Sequence, residues 1–251
     1  MARQEHHCAY AFILYFFIYL IWKGTIIPGW AVFLIFFFGI FPDLDTIYWA
    51  IKQRKLKMET EFQHHLYFWT HWPLSYIPLI IIFMISLIFN YYPEYFLIPI
   101  IGIYFGHLLF DSIATGDGIM WGKIPWKKNQ YARYINLFAD KTDGYHGLYW
   151  IARYRKTIFF KVGHITAILN VIIIIYFQIT CLIINIFYII SILYLLIAII
   201  LGIKRVPHDY YKEPPEGRYA DYRKNPDYIN GLSEKNRDKH LKKCSEIFRD
   251  F

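Results

Sequence analysis

Between Lys161 and Lys204 the chain runs for 42 residues without an Asp, Glu, Lys or Arg. A single helix of that length would be about 63 Å long, roughly twice the thickness of the hydrocarbon core of a bilayer. We therefore predict two membrane-spanning helices joined by a turn. The whole chain is 57% hydrophobic and only 18% charged, which excludes a disordered protein and argues against an ordinary soluble domain. These features together predict an integral membrane protein.

Further apolar segments long enough to cross a bilayer predict an all-α, polytopic membrane protein with about six transmembrane helices. The six segments fall at about residues 8–22, 26–41, 73–90, 95–113, 163–181 and 183–203. We expect residues 1–203 to form one membrane-embedded domain, with the loops 42–72 and 114–162 on one side of it. Residues 204–251 are then a polar, charged tail.

An even number of spans places both termini and both long loops on the same side of the membrane. That side carries 26 of the 27 Lys and Arg residues, all except Lys23, and all ten His residues. By the positive-inside rule it is the cytoplasmic side, so we predict a cell-membrane protein with both termini in the cytoplasm. Membrane lipids are the expected partners of this basic surface. Nucleic acid is not expected, because the basic residues form no compact recognition motif.

Metal-type ligands occur at four span ends, all on the predicted cytoplasmic boundary. Ionisable groups at span ends are costly unless they are paired, solvated or bound to a metal, so their convergence predicts a functional site. The residues are His6 and His7 at the first span, Asp43 and Asp45 after the second, His64, His65 and His71 before the third, and His107 and Asp111 in the fourth.

Two of these groups have spacings that suit a shared ion. His107 and Asp111 are four residues apart and share a helical face, where they can bind one metal ion or simply hydrogen-bond to each other. Pro42 disfavours helix just before it, so Asp43 and Asp45 are expected in a turn or irregular strand. There they suit one divalent ion or two, or serve as solvated acids at a helix end.

The histidine-rich segment before the third span leaves two possibilities open. On a continuous helix His64 and His71 would stand about 10 Å apart along the axis, too far for one metal ion. In a loop, His65 and His71 could both reach one ion. His6 and His7, taken alone, are typical of an interfacial histidine pair.

The ordered motifs resemble the membrane-bound metal-dependent hydrolase family, often called YdjM-like, over roughly residues 6–126. The resemblance is carried by Phe-Pro-Asp-Leu-Asp at 41–45, by His-x5-Thr-His ending at 71, and by Phe-Gly-His-Leu-Leu-Phe-Asp-Ser at 105–112 followed by Gly-Ile-Met-Trp at 118–121. It implies that the metal ligands are His7, Asp43, Asp45, His65, His71, His107 and Asp111. We expect Asp45 and His71 to act in catalysis as well. Since the spacing from His65 to His71 is one residue longer than the family's, His64 stays an alternative to His65.

The function implied by this resemblance is metal-dependent hydrolysis, in which a metal-activated water attacks the substrate. The position of the ligands at the membrane boundary suggests a membrane-associated substrate, such as a lipid phosphoester. The ligand types suit zinc first, with manganese or iron as alternatives. The competing hypothesis is a non-enzymatic multi-pass membrane protein that binds or transports metal or acts as a scaffold. A transporter should place polar ligands near the bilayer midplane, where this sequence is almost entirely apolar, and that observation favours the enzyme.

One aromatic and basic stretch, residues 144–156, lies outside the resemblance. It is typical of a helix that anchors to the membrane surface. Alternatively, His146, Arg153 and Arg155 bind the substrate, with the arginines holding a headgroup phosphate.

Overall fold

A computed structural model of the protein describes residues 3–54, 65, 68–114, 119–126, 134–135, 145, 147–181, 183–213, 234, 237–238 and 241. These residues are mostly helical, as predicted. A short antiparallel pair, β1 (Ile119–Met120) with β2 (Tyr134–Ile135), accompanies the helices.

The helices follow one another in a simple chain order. They are α1 (Gln4–Lys23), α2 (Gly29–Ile40), α3 (Asp45–Gln53), α4 (Ile77–Ile88), α5 (Pro93–Ile100), α6 (Leu109–Ala114), α7 (Gly147–Tyr154), α8 (Ile158–Thr180) and α9 (Ile186–Ile203). Short 3-10 turns cover Phe41–Leu44, Trp69–His71, Pro73–Tyr76 and His208–Tyr211, and a π-helix covers Ile101–Leu108 between α5 and α6.

Four helical stretches are long and apolar enough to cross a membrane, which fits the predicted class of protein. They are Gly29–Tyr48, Pro93–Ile113, Ile158–Thr180 and Ile186–Ile203. The uncharged run therefore does form two separate helices, α8 and α9. The two remaining predicted spans, 8–22 and 73–90, fall on the 20-residue helix α1 and on the shorter apolar stretch Pro73–Ile88.

Helix α1 lies at the centre of the bundle and packs against α2, the π-helix and α8. Its small residues Ala9 and Ala11 are fully buried and allow close approach, while Phe12 and Tyr15 fill the space between the helices. Asn170 of α8 donates a hydrogen bond to the Ala9 carbonyl over 2.9 Å.

The outer faces of α8 and α9 carry exposed isoleucines. Ile172 is 58% exposed and Ile200 is 67% exposed. A helix that exposes large apolar side chains along its length is typical of a lipid-facing surface.

Backbone changes occur where two of the predicted ligand groups lie. After α2 the chain tightens into the 3-10 turn and continues as α3, so Asp43 and Asp45 lie in helical backbone and the irregular strand is excluded. Pro42 stands in the first turn, where a missing N–H leaves no backbone carbonyl unpaired. His107 lies in the π-helix, a wider turn that is frequent at functional sites.

Candidate metal centre

The fold brings all seven predicted ligands into one buried group, which we call the His/Asp cluster. Its members are His7, Asp43, Asp45, His65, His71, His107 and Asp111, each 5% exposed or less. They come from α1, the turn after α2, α3, the segment before α4, the π-helix and α6. His64, the alternative to His65, lies outside the described residues.

Within this cluster, two groups of three residues have ligand atoms that all lie within 4.8 Å of one another. They are His7, Asp43 and His107, and His65, His71 and Asp111. Either group could hold a metal ion by the types of its ligand atoms. His7 and His107 stack with ring centroids 3.9 Å apart, so the two groups adjoin.

The Nε2 atom of His107 lies close to ligand atoms of three other members of the cluster. It lies 3.2 Å from Nε2 of His71, 3.2 Å from Oδ2 of Asp111 and 3.7 Å from Oδ1 of Asp43. Nε2 of His71 is likewise 3.7 Å from the same Asp43 oxygen.

Asp111 extends the contacts to the other two histidines. Its Oδ2 atom is 3.1 Å from Nε2 of His65, and its Oδ1 atom is 3.5 Å from Nε2 of His7. The carboxylate of Asp111 therefore lies between three imidazole rings that come from different parts of the chain.

Backbone carbonyls determine which nitrogen of His7 and His107 carries the proton. Nδ1 of His7 donates to the Gly106 carbonyl over 2.8 Å, and Nδ1 of His107 donates to the Gly39 carbonyl over 2.8 Å. A carbonyl oxygen can only accept, so each neutral ring has its proton on Nδ1. The Nε2 atom then carries a lone pair that faces the cluster. For His7 this Nε2 is buried and makes no hydrogen bond among the described residues.

Asp45 orients His71 through the ring nitrogen that points away from His107. Nδ1 of His71 donates to Oδ2 of Asp45 over 3.0 Å, and the same oxygen accepts from Oγ1 of Thr70 over 2.8 Å. The Thr70 carbonyl in turn accepts a hydrogen bond from the Tyr76 hydroxyl over 2.5 Å. A carboxylate on the far nitrogen of a histidine is the common second contact of metal-bound imidazole.

The charge around His71 favours a cation at this point. Burial by itself lowers the pKa of His71, but the adjacent carboxylates of Asp43 and Asp45 outweigh it and raise the pKa to about 9. The carboxylates thus stabilise positive charge between them, whether a proton or a metal ion supplies it.

The donor set fits a divalent ion. Two ligands bound at about 2.1 Å with a tetrahedral angle between them are about 3.4 Å apart. The separations among His71, His107 and Asp43 are 3.2 and 3.7 Å. The lone pair of a neutral His107 and the carboxylate oxygens repel one another at such distances unless positive charge lies among them, and either a metal ion or the proton of His71 can supply it.

A second polar group, not predicted from the sequence, lies on another side of α1. Glu5, His6 and His164 have ligand atoms within 4.8 Å of one another. His6 is therefore separated from His7, although the two are neighbours in the chain. The signal in the sequence was His164, a histidine inside the otherwise uncharged and apolar run.

The predicted substrate-binding arginines both contact the backbone. Arg153 donates to the carbonyls of Tyr210 and Lys212 over 2.8 and 2.9 Å, and Arg155 donates to the carbonyls of Gly202 and Lys204. Arg153 thus holds the chain that follows α9, and Arg155 holds the end of α9 and the residue after it. His146 lies outside the described residues.

Comparisons of this chain with protein-family models, with curated proteins and with solved structures find no match. The resemblance to membrane-bound metal-dependent hydrolases therefore stays a prediction from the sequence motifs.

Proposed function

We propose that this protein is a membrane-bound, metal-dependent hydrolase whose His/Asp cluster binds at least one divalent metal ion, zinc first, at the cytoplasmic boundary of about six transmembrane helices. The observation that carries the proposal is the arrangement at His107. Its Nε2 lone pair faces Nε2 of His71 and the carboxylates of Asp43 and Asp111 at 3.2 to 3.7 Å.

The ligand roles follow from these contacts. His71, His107, Asp43 and Asp111 would bind an ion directly, with His7 and His65 completing the set around Asp111. Asp45 would act through His71, because its Oδ2 atom holds Nδ1 of that ring. This contact keeps Nε2 of His71 directed into the cluster and also leaves Asp45 close to the site of reaction.

A bound divalent ion would supply Lewis acidity, lowering the pKa of a water molecule toward about 7 and polarising the bond to be hydrolysed. The residues of this chain would hold the ion in place and exclude bulk water, since every member of the cluster is buried. With Nε2 of His71 facing the ion and Nδ1 donating to Asp45, the Asp45 carboxylate is the group that would hold a proton during the reaction, and His71 would position that carboxylate.

The substrate class we propose is a membrane-associated phosphoester. The ligands lie at the ends of helices that are apolar enough to cross a membrane, so a lipid-linked substrate would reach them at headgroup level. Several imidazoles beside a divalent ion also suit the negative charge of a phosphoryl group.

Metal content tests the first part of the proposal. We would purify the wild type, Asp111→Asn and His107→Gln in detergent and measure zinc, manganese and iron by elemental mass spectrometry. Asp209→Asn is the matched control, because Asp209 pairs with Lys212 on the surface. We expect the wild type and the control to retain at least one ion per chain and both cluster variants to lose it.

Hydrolysis tests the second part. The metal-loaded protein would be incubated with lipid phosphoesters, with and without a chelator, and released phosphate measured. A wild type that takes up no metal, even after reconstitution with each ion, would overturn the whole proposal. Metal binding without any hydrolysis would instead favour the non-enzymatic, metal-binding alternative.

A further inference from the structure

The second polar group lies where α1 and α8 begin and α9 ends, and its side chains converge on Gly202. A methyl group added to Gly202 would lie 2.8 Å from Oε1 of Glu5, 2.8 Å from Cε1 of His164 and 3.0 Å from a terminal nitrogen of Arg3. Arg155 donates to the Gly202 carbonyl over 2.5 Å. The missing side chain at Gly202 thus leaves room for Glu5, His164 and Arg3, and Arg155 contacts the carbonyl of the same residue.

A chain of three hydrogen-bonded side chains ends at this place. The Tyr154 hydroxyl is 2.7 Å from Nδ1 of His6, and Nε2 of His6 is 2.9 Å from Nδ1 of His164. With the Tyr154 hydroxyl as donor, Nδ1 of His6 accepts and Nε2–H of His6 donates to Nδ1 of His164, so that a neutral His164 carries its own proton on Nε2. That atom is buried and has no hydrogen-bond partner among the described residues.

Arg155 provides a second buried donor that lacks an acceptor. Its Nε atom is buried and has no hydrogen-bond partner in the described part of the chain, although its terminal nitrogen is bonded to carbonyls at the end of α9. Arg3 adds positive charge from α1, with terminal nitrogens 3.4 Å from the carbonyls of Ala198 and Gly202. Buried donors without acceptors are costly, and an anion would satisfy them.

A cation fits this place less well, although Glu5, His6 and His164 approach one another closely enough to hold one. Both ring nitrogens of His6 already have partners, and Glu5 is paired with Arg3. The charge of Arg3 is therefore balanced by Glu5, whereas the Arg155 guanidinium would repel a metal ion and attract a phosphate, for which arginine is a well-suited donor.

Apolar side chains near this group of polar residues are exposed on the outside of the bundle. Ile158 at the start of α8 is 62% exposed, and Leu201 and Ile203 at the end of α9 are 61% and 64% exposed. Basic pockets between transmembrane helices beside such surfaces are where anionic lipid headgroups bind. We propose that Arg155, His164 and Arg3 bind the phosphate group of an anionic membrane lipid between the start of α8 and the end of α9.

This lipid site is distinct from the His/Asp cluster. His6 faces Tyr154 and His164, whereas the adjacent His7 faces Gly106 and Asp111. The lipid would stabilise the junction of α1, α8 and α9 without occupying the metal ligands.

Thermal unfolding of the detergent-purified full chain tests the proposal. Phosphatidylglycerol, phosphatidylcholine or inorganic phosphate would be added to the wild type, His164→Leu, Arg155→Gln and the control Arg153→Gln, and the change in Tm measured. Arg153 is the matched control because its guanidinium has the same charge but bonds to the Tyr210 and Lys212 carbonyls. A ligand that binds only the folded state raises Tm.

We expect phosphatidylglycerol to raise the Tm of the wild type and of Arg153→Gln, and to have little effect on His164→Leu and Arg155→Gln. Because the readout is the lipid-induced change, a lower starting Tm in either variant does not affect the comparison. An equal rise with phosphatidylcholine, or an undiminished rise in both His164→Leu and Arg155→Gln, would overturn the proposal. A rise with inorganic phosphate that matches phosphatidylglycerol would overturn the assignment to a lipid.

Discussion

Single hydrogen bonds decide how each histidine of the His/Asp cluster is oriented. The Gly106 and Gly39 carbonyls fix the rings of His7 and His107, and Asp45 fixes that of His71. Thr70 acts on His71 through Asp45, because the Thr70 hydroxyl donates to the same Asp45 oxygen that accepts from His71. These outer contacts set the direction of the imidazole nitrogens that face the cluster.

Thr70→Val is therefore expected to weaken metal binding without removing a ligand. The substitution keeps the shape of the side chain but removes the donor to Asp45, and loss of such outer contacts costs about 10- to 100-fold in metal affinity. The measurement is a metal-competition titration of purified protein. Thr46→Val is the control, because the Thr46 hydroxyl bonds only locally to the Asp43 carbonyl; equal affinities in the two variants would contradict the role of Thr70.

Close packing between helices places the ligands of α1 and the π-helix within reach of each other. A methyl group at Gly106 would lie 2.5 Å from Cβ of Ala11 and 3.1 Å from the His7 carbonyl oxygen. Because the helices touch here, Nδ1 of His7 can reach the Gly106 carbonyl. The position of His7 in the cluster thus depends on Gly106, a small residue of the neighbouring π-helix.

Gly106→Ala is expected to separate α1 from the π-helix. Overpacking of this kind typically costs about 1–3 kcal/mol, so Tm and metal content should both fall. The double variant Ala11→Gly with Gly106→Ala removes the closest clashing atom and should recover part of both losses, a coupling that distant substitutions do not show. If Gly106→Ala matched the wild type in Tm and metal content, the helix contact would not position His7.

At the scale of the whole molecule, charge is divided between the two ends of the bundle. The His/Asp cluster lies at one end, and at the other Lys23 pairs with the buried Glu94 at 2.7 Å. Lys23 is the last residue of α1 and Glu94 lies in the first turn of α5, so this ion pair joins the end of α1 to the start of α5. The contact places the end of α1 and the start of α5 at the same end of the bundle, as the predicted order of spans requires.

An epitope tag inserted after Gly24 and one fused after Phe251 are expected on opposite sides of the membrane. Five of the six proposed spans separate the two positions, and the positive-inside rule puts Phe251 in the cytoplasm. Antibody labelling of intact and permeabilised cells is the measurement. Two tags reached from the same side would contradict six spans, and exchanged sides would contradict the orientation.

Several features of this protein could be predicted from residue order alone. An apolar run without charge must satisfy its backbone internally in a bilayer, so α8 and α9 follow from composition and length. The candidate ligands also follow, because His and Asp at helix ends stand out against an apolar chain. The i, i+4 spacing of His107 and Asp111 places both on one helical face, and their 3.2 Å contact agrees with it.

The remaining features depend on how distant segments pack, and spacing along the chain contains no information about that. Consecutive residues of a helix point in different directions, but only the packing of α1 against α2, the π-helix and α8 decides which polar group His6 and His7 each join. Other contacts between distant segments assign Arg153 and Arg155 to backbone carbonyls and Asp45 to the far nitrogen of His71. Local sequence thus determined the helices and the ligand types, whereas tertiary contacts decided which atoms of those ligands face one another, because only contacts between segments fix a side chain's partner.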